Sequence, residues 1–173
     1  AAQPAHGRVP GPAPAVTHDF EQRAAALLDA GAHGYFAGGA GDELTLRDNV
    51  ASWERIALAP RVLVDVSQRD TSVTVLDRER PHPFLVAPMA YQRALHADAE
   101  IGTARAAAAT GSTMVLSSQS TTDPRDVAEA MGGASRWLQL YVFRDRGLTD
   151  DLVRAAREGG YEALCITVDF PFG

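Results

Sequence analysis

Thiol chemistry is almost absent from this chain: its one cysteine, Cys165, falls inside an apolar run, which excludes a disulfide framework or a thiolate metal cluster and makes it a buried filler. Basic charge never gathers into a run. With a net charge of −6 and a pI near 5.3, nucleic acid and anionic membrane are excluded as partners, since both demand a basic surface. Apolar runs are short as well. None approaches the roughly 20 residues that cross a bilayer, so no membrane span is expected. Residues 1–16 carry four of the ten prolines among Ala and Gly, without the charged start and long apolar centre of a signal peptide. They are expected to form a flexible Pro/Ala-rich tail, and the expected location is cytoplasmic. No metal site is expected.

What is present suffices for a core, at 46% hydrophobic and 22% charged residues. Four strand-then-helix units start at Phe84, Thr113, Trp137 and Ala163, spaced 29, 24 and 26 residues apart. That rhythm is the one of an α/β (TIM) barrel, whose eight units need about 250 residues. The chain is therefore expected to hold strands 1 to 4 of a (β/α)8 barrel, as one fragment of a larger enzyme. A half-barrel alone would expose two edges of parallel strand.

Ahead of the repeat, Thr17 is a candidate cap for a helix through Leu28, with Gly31 and Gly34 as its stop. Helix is also expected over Thr45–Trp53, and extended chain over Ile56–Val66. Ser72–Leu76 alternates as a strand, and Asp77–Arg80 supplies a turn, giving a hairpin expected at the bottom of the barrel. Within the repeat, strands are expected over Phe84–Met89, Thr113–Ser118, Trp137–Phe143 and Ala163–Asp169. Helices are expected from Asp98 to Thr110, from Asp123-Pro124 to Gly132, and from a Thr149 cap with Asp150 and Asp151 in the first turn. No domain boundary is expected between residues 17 and 173.

Barrels of this kind carry their chemistry where the strands end. Those ends read Ala87-Pro88-Met89-Ala90, Ser117-Ser118-Gln119, Gln139-Leu140-Tyr141 and Thr167-Val168-Asp169. Neutral hydroxyls and amides of this sort suit an uncharged polar heterocycle, whose donors and acceptors must each be matched when buried. A flavin fits that description.

These strand ends, with Tyr35-Phe36-Ala37-Gly38-Gly39-Ala40 and Phe170-Pro171, resemble the FMN-dependent 2-hydroxy-acid oxidases and dehydrogenases, a family of glycolate, lactate and mandelate or hydroxymandelate types. The resemblance runs in unbroken order from about residue 17 to 173. It implies FMN as cofactor and oxidation of a 2-hydroxy acid to the 2-oxo acid by hydride transfer to flavin N5. It further implies that Ala87, Pro88, Met89 and Ala90 follow the flavin ring, and that Ser117, Gln139 and Thr167 hydrogen-bond it. Tyr35 matches a tyrosine that binds the substrate carboxylate, Tyr141 one that faces the substrate hydroxyl or carboxylate, and Asp169 an aspartate that stabilises the protonated catalytic histidine. The histidine, a carboxylate-binding arginine, a lysine near flavin N1 and the phosphate loops would come from strands 5 to 8. His6, His18, His33, His82 and His96 do not match the catalytic position.

Plainer readings stand beside these: either tyrosine could be a half-buried packing residue, and Asp169 could cap a strand end through backbone N–H groups. Gln119 and Met89 replace a tryptophan and a threonine of glycolate oxidase, and Ala90-Tyr91-Gln92-Arg93 resembles the hydroxymandelate oxidase type, which implies an aromatic substrate such as mandelate. Expected partners are the small 2-hydroxy acid, the C-terminal half of the same enzyme and, from the resemblance, further copies in a homo-oligomeric tetramer. Gly173 is expected to precede a mobile loop. Two alternatives stay open: another FMN-barrel enzyme such as an isomerase acting on a diphosphate, and a non-catalytic half-barrel subunit. The first would call for clustered Lys or Arg at the strand ends, where none occurs.

Overall fold

The computed structural model describes residues 17–169. The expected tail over 1–16, the Phe170-Pro171 step and the reading of Gly173 lie outside those residues. The chain divides into two compact units between Arg69 and Asp70.

In the first unit, helix α1 covers Thr17–Leu27, α2 covers Ala30–Ala37 and α3 covers Leu44–Glu54. The expected stop at Gly31 and Gly34 is a restart instead. Asp29 caps α2 by accepting the N–H groups of Gly31 and Ala32 at 2.9 and 3.0 Å, so both glycines and Tyr35 are helical. Helix α2 ends at Gly38, where a Cβ would lie 2.6 Å from the Gly34 carbonyl oxygen. Only glycine fits there. Beyond α3, residues 56–66 carry no helix or strand.

The second unit opens with an antiparallel hairpin of β1 (Val73–Val75) and β2 (Arg78–Arg80), paired in the register Val73↔Arg80 and Val75↔Arg78. Its two-residue loop, Leu76-Asp77, has φ of 49° and 57°, the doubly left-handed turn whose twist matches that of the strands. Four parallel strands follow: β3 (Leu85–Val86), β4 (Thr113–Ser117), β5 (Arg136–Leu140) and β6 (Ala163–Ile166), paired in chain order. A short 3-10 turn at Gln92–Ala94 and helix α4 (Ala99–Thr110) join the first pair; α5 (Pro124–Met131) and α6 (Arg146–Glu158) join the others. Among the described residues the sheet is open and no barrel closes.

Strand β4 ends one residue before its expected bound, and the other three end three residues early, each for a local reason. Pro88 has no N–H to give a ladder, which limits β3 at its edge position. Strand β5 stops at Leu140 because the Tyr141 N–H donates to the Ser118 hydroxyl at 3.3 Å. In β6 alternate residues remain exposed, Leu164 and Ile166 among them, so this edge strand lacks cover on one face. The interior strands β4 and β5 are buried almost throughout.

The core lies between this sheet and its helices: Met114, Leu116 and Leu138 from the strands, Ala104 and Ala107 from α4, Val127 and Met131 from α5, and Ala156 from α6. Each large side chain fully buried there contributes about 1.5–3 kcal/mol. The expected cap at Thr149 is corrected. Asp145 caps α6, accepting the Gly147 and Leu148 N–H groups at 2.9 and 3.3 Å, and Thr149 instead accepts the Phe143 N–H at 3.1 Å. Asp123 caps α5 as its sequence suggests, accepting the Arg125 N–H at 2.8 Å ahead of Pro124.

The hairpin sits where the parallel strands begin. Arg80 pairs with Glu162, which also accepts the Ser135 hydroxyl, both residues lying just ahead of a strand. Burial alone would raise the Glu162 pKa, but the hydrogen bonds from Arg80 and Ser135 outweigh it and hold the carboxyl below its ordinary value. Among the described residues no helix is long and apolar enough to cross a membrane.

Candidate functional site

Because parallel strands advance in register, the residues just past their ends share one rim. Ser117 is opposite Gln139, and Gln139 opposite Cys165, which brings Thr167 two residues later onto the Gln139 face. The side chains complete the row. Gln139 Nε2 donates to Thr167 Oγ1 at 2.8 Å, while Gln139 Oε1 accepts from Ser117 Oγ at 3.3 Å, Ser118 N–H at 3.2 Å and Ser118 Oγ at 3.4 Å. One amide thus ties three adjacent strands.

Ser117 and Gln139 are buried, and Thr167 is half-buried. The row is neutral throughout. A hydroxyl that accepts from Gln139, as Thr167 does, keeps its own proton to donate, and the serine hydroxyls can rotate between donor and acceptor roles. Such a set matches the alternating carbonyls and ring nitrogens of a flavin edge without introducing charge. Ala87, Pro88 and Met89 are exposed beside this row, and Ala90 is half-buried.

Tyr141 lies just past the end of β5, half-buried, with its ring 6.3 Å from that of Phe143 in an edge-to-face contact. Asp169 is exposed, three residues past the end of β6. Tyr35 belongs to the first unit, on α2, where its ring meets Phe36 edge-on at 4.9 Å. The structure therefore gathers Ser117, Gln139 and Thr167 into direct contact and sets Tyr141 next to them. His82 lies at the opposite end of the sheet, its Nε2 3.0 Å from the Thr110 carbonyl oxygen; His96 Nδ1 accepts the Asp98 N–H at 3.1 Å.

Glu100 was not legible as part of this region. It is wholly buried on α4, and its carboxylate accepts from the Thr121 N–H at 2.9 Å and from the Thr121 and Thr122 hydroxyls at 2.7 Å each. Desolvation pushes its pKa up, yet these bonds prevail and the net shift is downward, keeping it ionised. A lone carboxylate in an alanine-rich helix was the available signal. Nothing in the sequence told which way it faces.

Two surface concavities among the described residues border α5 and α6. One of about 460 Å³ between α5 and α6 is lined by Arg125, Arg136 and Glu158. Both of its arginines are engaged: Arg136 donates to the Gly132, Ala134 and Gly159 carbonyls, and Arg125 pairs with Glu158. It closes the helix ends rather than offering a site.

Comparison with known proteins gives the family. The sequence matches the FMN-dependent dehydrogenase family over residues 24–173. It is 48% identical over 156 residues to an L-lactate oxidase of Nostoc sp., covering 88% of this chain and 43% of that protein. It is 43% identical to human 2-hydroxyacid oxidase 1, covering 90% of this chain and 42% of that one. A solved mandelate oxidase with (S)-4-hydroxymandelic acid superposes with a TM-score of 0.82 at 35% identity, covering 90% of this chain and 43% of the other. The chain thus spans about two-fifths of the length of the curated relatives it matches.

Proposed function

This chain belongs to the FMN-dependent dehydrogenase family, and we propose that it forms the N-terminal part of a (β/α)8 barrel that oxidises a 2-hydroxy acid to the 2-oxo acid. The observation that carries this reading is the neutral row Ser117–Gln139–Thr167 along the ends of three parallel strands. FMN, when bound, supplies the two-electron acceptor.

The work of this chain is to hold and orient. Ser117, Gln139 and Thr167 would match the polar edge of the ring, and Ala87, Pro88, Met89 and Ala90 would let the backbone run close beside it. Tyr141 would donate its phenol to the substrate hydroxyl or carboxylate. For Tyr35 we keep the role of carboxylate binding, and for Asp169 that of accepting a hydrogen bond from a protonated histidine, so that the proton taken from the substrate hydroxyl stays on the base. The histidine and the carboxylate-binding arginine are assigned to sequence outside residues 1–173, as are the phosphate contacts. The active protein is read as a homo-oligomer in the cytoplasm.

The substrate side chain is proposed to be aromatic, on the departures at Met89 and Gln119 and the likeness to mandelate oxidase structures. The identity with L-lactate oxidases favours a short-chain acid as the second reading. An absorption spectrum of the full-length protein, followed by saturation curves with glycolate, lactate and mandelate, tests both levels. Flavin bands bleached by mandelate at the highest kcat/KM support the full reading; bleaching by lactate in preference overturns the aromatic part; a colourless protein that takes up no FMN overturns the function.

A further inference from the structure

The Glu100 carboxylate lies where two loops meet. Its Oε1 accepts the Gln92 N–H at 3.3 Å from the loop after β3, and the Thr121 N–H at 2.9 Å from the loop after β4. Its Oε2 takes the Thr121 and Thr122 hydroxyls. The same loops also bond directly, from the Tyr91 N–H to the Gln119 carbonyl at 3.2 Å and from the Arg93 N–H to Thr121 Oγ1 at 3.3 Å.

From this hub, bonds lead outward to the end of β3 on one side and to the strand-end row on the other. Gln92, itself buried, accepts the Thr103 hydroxyl at 2.6 Å and extends its Nε2 to the Met89 carbonyl at 3.5 Å. On the other side the Gln119 N–H donates to Ser117 Oγ at 3.1 Å. Strain marks the same segment: Tyr91 and Ala99 hold φ of 56° and 45°, a left-handed backbone that side chains with a Cβ disfavour. Local preference would not select it; the cross-tie does.

We propose that Glu100 is a positioning residue, whose buried carboxylate locks loops 89–92 and 119–122 into one arrangement so that the cofactor meets a preformed rim. It touches neither cofactor nor substrate. The consequence for FMN rests on the function proposed above, whereas the locking of the loops does not. A merely stabilising role for Glu100 would lower resistance to unfolding without singling out these loops.

The test uses the full-length protein as wild type, Glu100→Gln and Val127→Ala, the last a core truncation on α5 that removes none of the Glu100 hydrogen bonds. Glu100→Gln keeps the volume but turns one acceptor oxygen into an NH2 facing donors. Amide hydrogen exchange on the apoprotein reads the loops, and flavin fluorescence titration reads FMN affinity. Glu100→Gln is expected to speed exchange at residues 90–92 and 120–122 about tenfold, weaken FMN about tenfold and leave α6 unchanged, as loss of one charge-assisted bond implies. Val127→Ala should lower the unfolding midpoint without the loop-specific change. Unaltered loop exchange in Glu100→Gln, or the same pattern in Val127→Ala, overturns the proposal. If wild type takes up no FMN, the function fails while the exchange data still decide the locking. Should Glu100→Gln not fold, Thr122→Val removes one of the bonds at matched shape, with a smaller acceleration expected in the 120–122 amides and an unchanged rate counting against the proposal.

Discussion

Replacing Gln139 by leucine keeps the volume of a buried β5 side chain and deletes the amide that joins three strands. The cost follows from the geometry. Three donors crowd onto Gln139 Oε1 at 3.2–3.4 Å, so each bond is long and the set is worth about one ordinary hydrogen bond of ~1 kcal/mol. The 2.8 Å bond to Thr167 contributes about as much again. Hydroxyls of Ser117, Ser118 and Thr167 can turn to other acceptors, but the Ser118 N–H cannot, and stranding it costs a further ~1 kcal/mol. Leucine recovers part of this because no polar amide has to be desolvated, leaving a net loss of about 2 kcal/mol. If the row also binds the flavin edge, FMN affinity should fall by about tenfold, one lost bond of ~1.4 kcal/mol. Urea unfolding of full-length apoprotein measures the first quantity and FMN fluorescence titration the second. A variant with lowered stability but unchanged FMN affinity would refute the argument that this row faces the cofactor, and one with neither effect would refute the account of the network itself.

Four further outcomes are expected. Asp145→Ala should destabilise by ~1 kcal/mol through loss of the α6 cap, while Thr149→Ser, which keeps a hydroxyl for the Phe143 N–H, should be close to neutral in the same denaturation series. Tyr161→Phe leaves the Pro124 carbonyl without its 2.8 Å donor and should cost ~1 kcal/mol with FMN affinity unchanged, measured by the same two titrations. The downward-shifted Glu162 contributes stability that is complete above its ordinary value of 4.5 and is lost as pH falls through its lower folded value. Glu162→Gln should therefore be less stable than wild type at pH 7 and lose less on acidification, with the Glu100 contribution in the same window retained. Tyr141→Phe should lower kcat/KM for the preferred 2-hydroxy acid at least tenfold while leaving the flavin spectrum intact; an unchanged kcat/KM would return Tyr141 to a packing role.

The four parallel strands could be located from sequence because buried strands are continuous apolar runs, and Gly111, Gly132 and Gly159 punctuate the helices between them. Ser117, Gln139 and Thr167 were legible as candidates by their position at run ends. Capping was less legible. Asp29 is hidden because Gly31 and Gly34 read as the stop of the preceding helix, and Asp145 because Thr149 with two following aspartates reads as a cap; which residue wins depends on the backbone trajectory. The short β3 and half-covered β6 could not be foreseen from apolar content, since pairing at an edge depends on which neighbour is present.

Composition, periodicity and strand-end chemistry by themselves determined the parallel α/β order, the acidic charge and the candidate row, because each is a property of adjacent residues or of fixed spacing. Only the tertiary structure decided that Gln139 bonds to both neighbouring strands at once, that the carboxylate of Glu100 turns inward, and that Gln92 and Thr121, from two separate loops, share it. Those outcomes depend on register and on helix rotation about the sheet. An alanine-rich helix such as α4 offers no apolar stripe to set that rotation, so the face it buries is chosen by the packing of Ala104 and Ala107 on the strands.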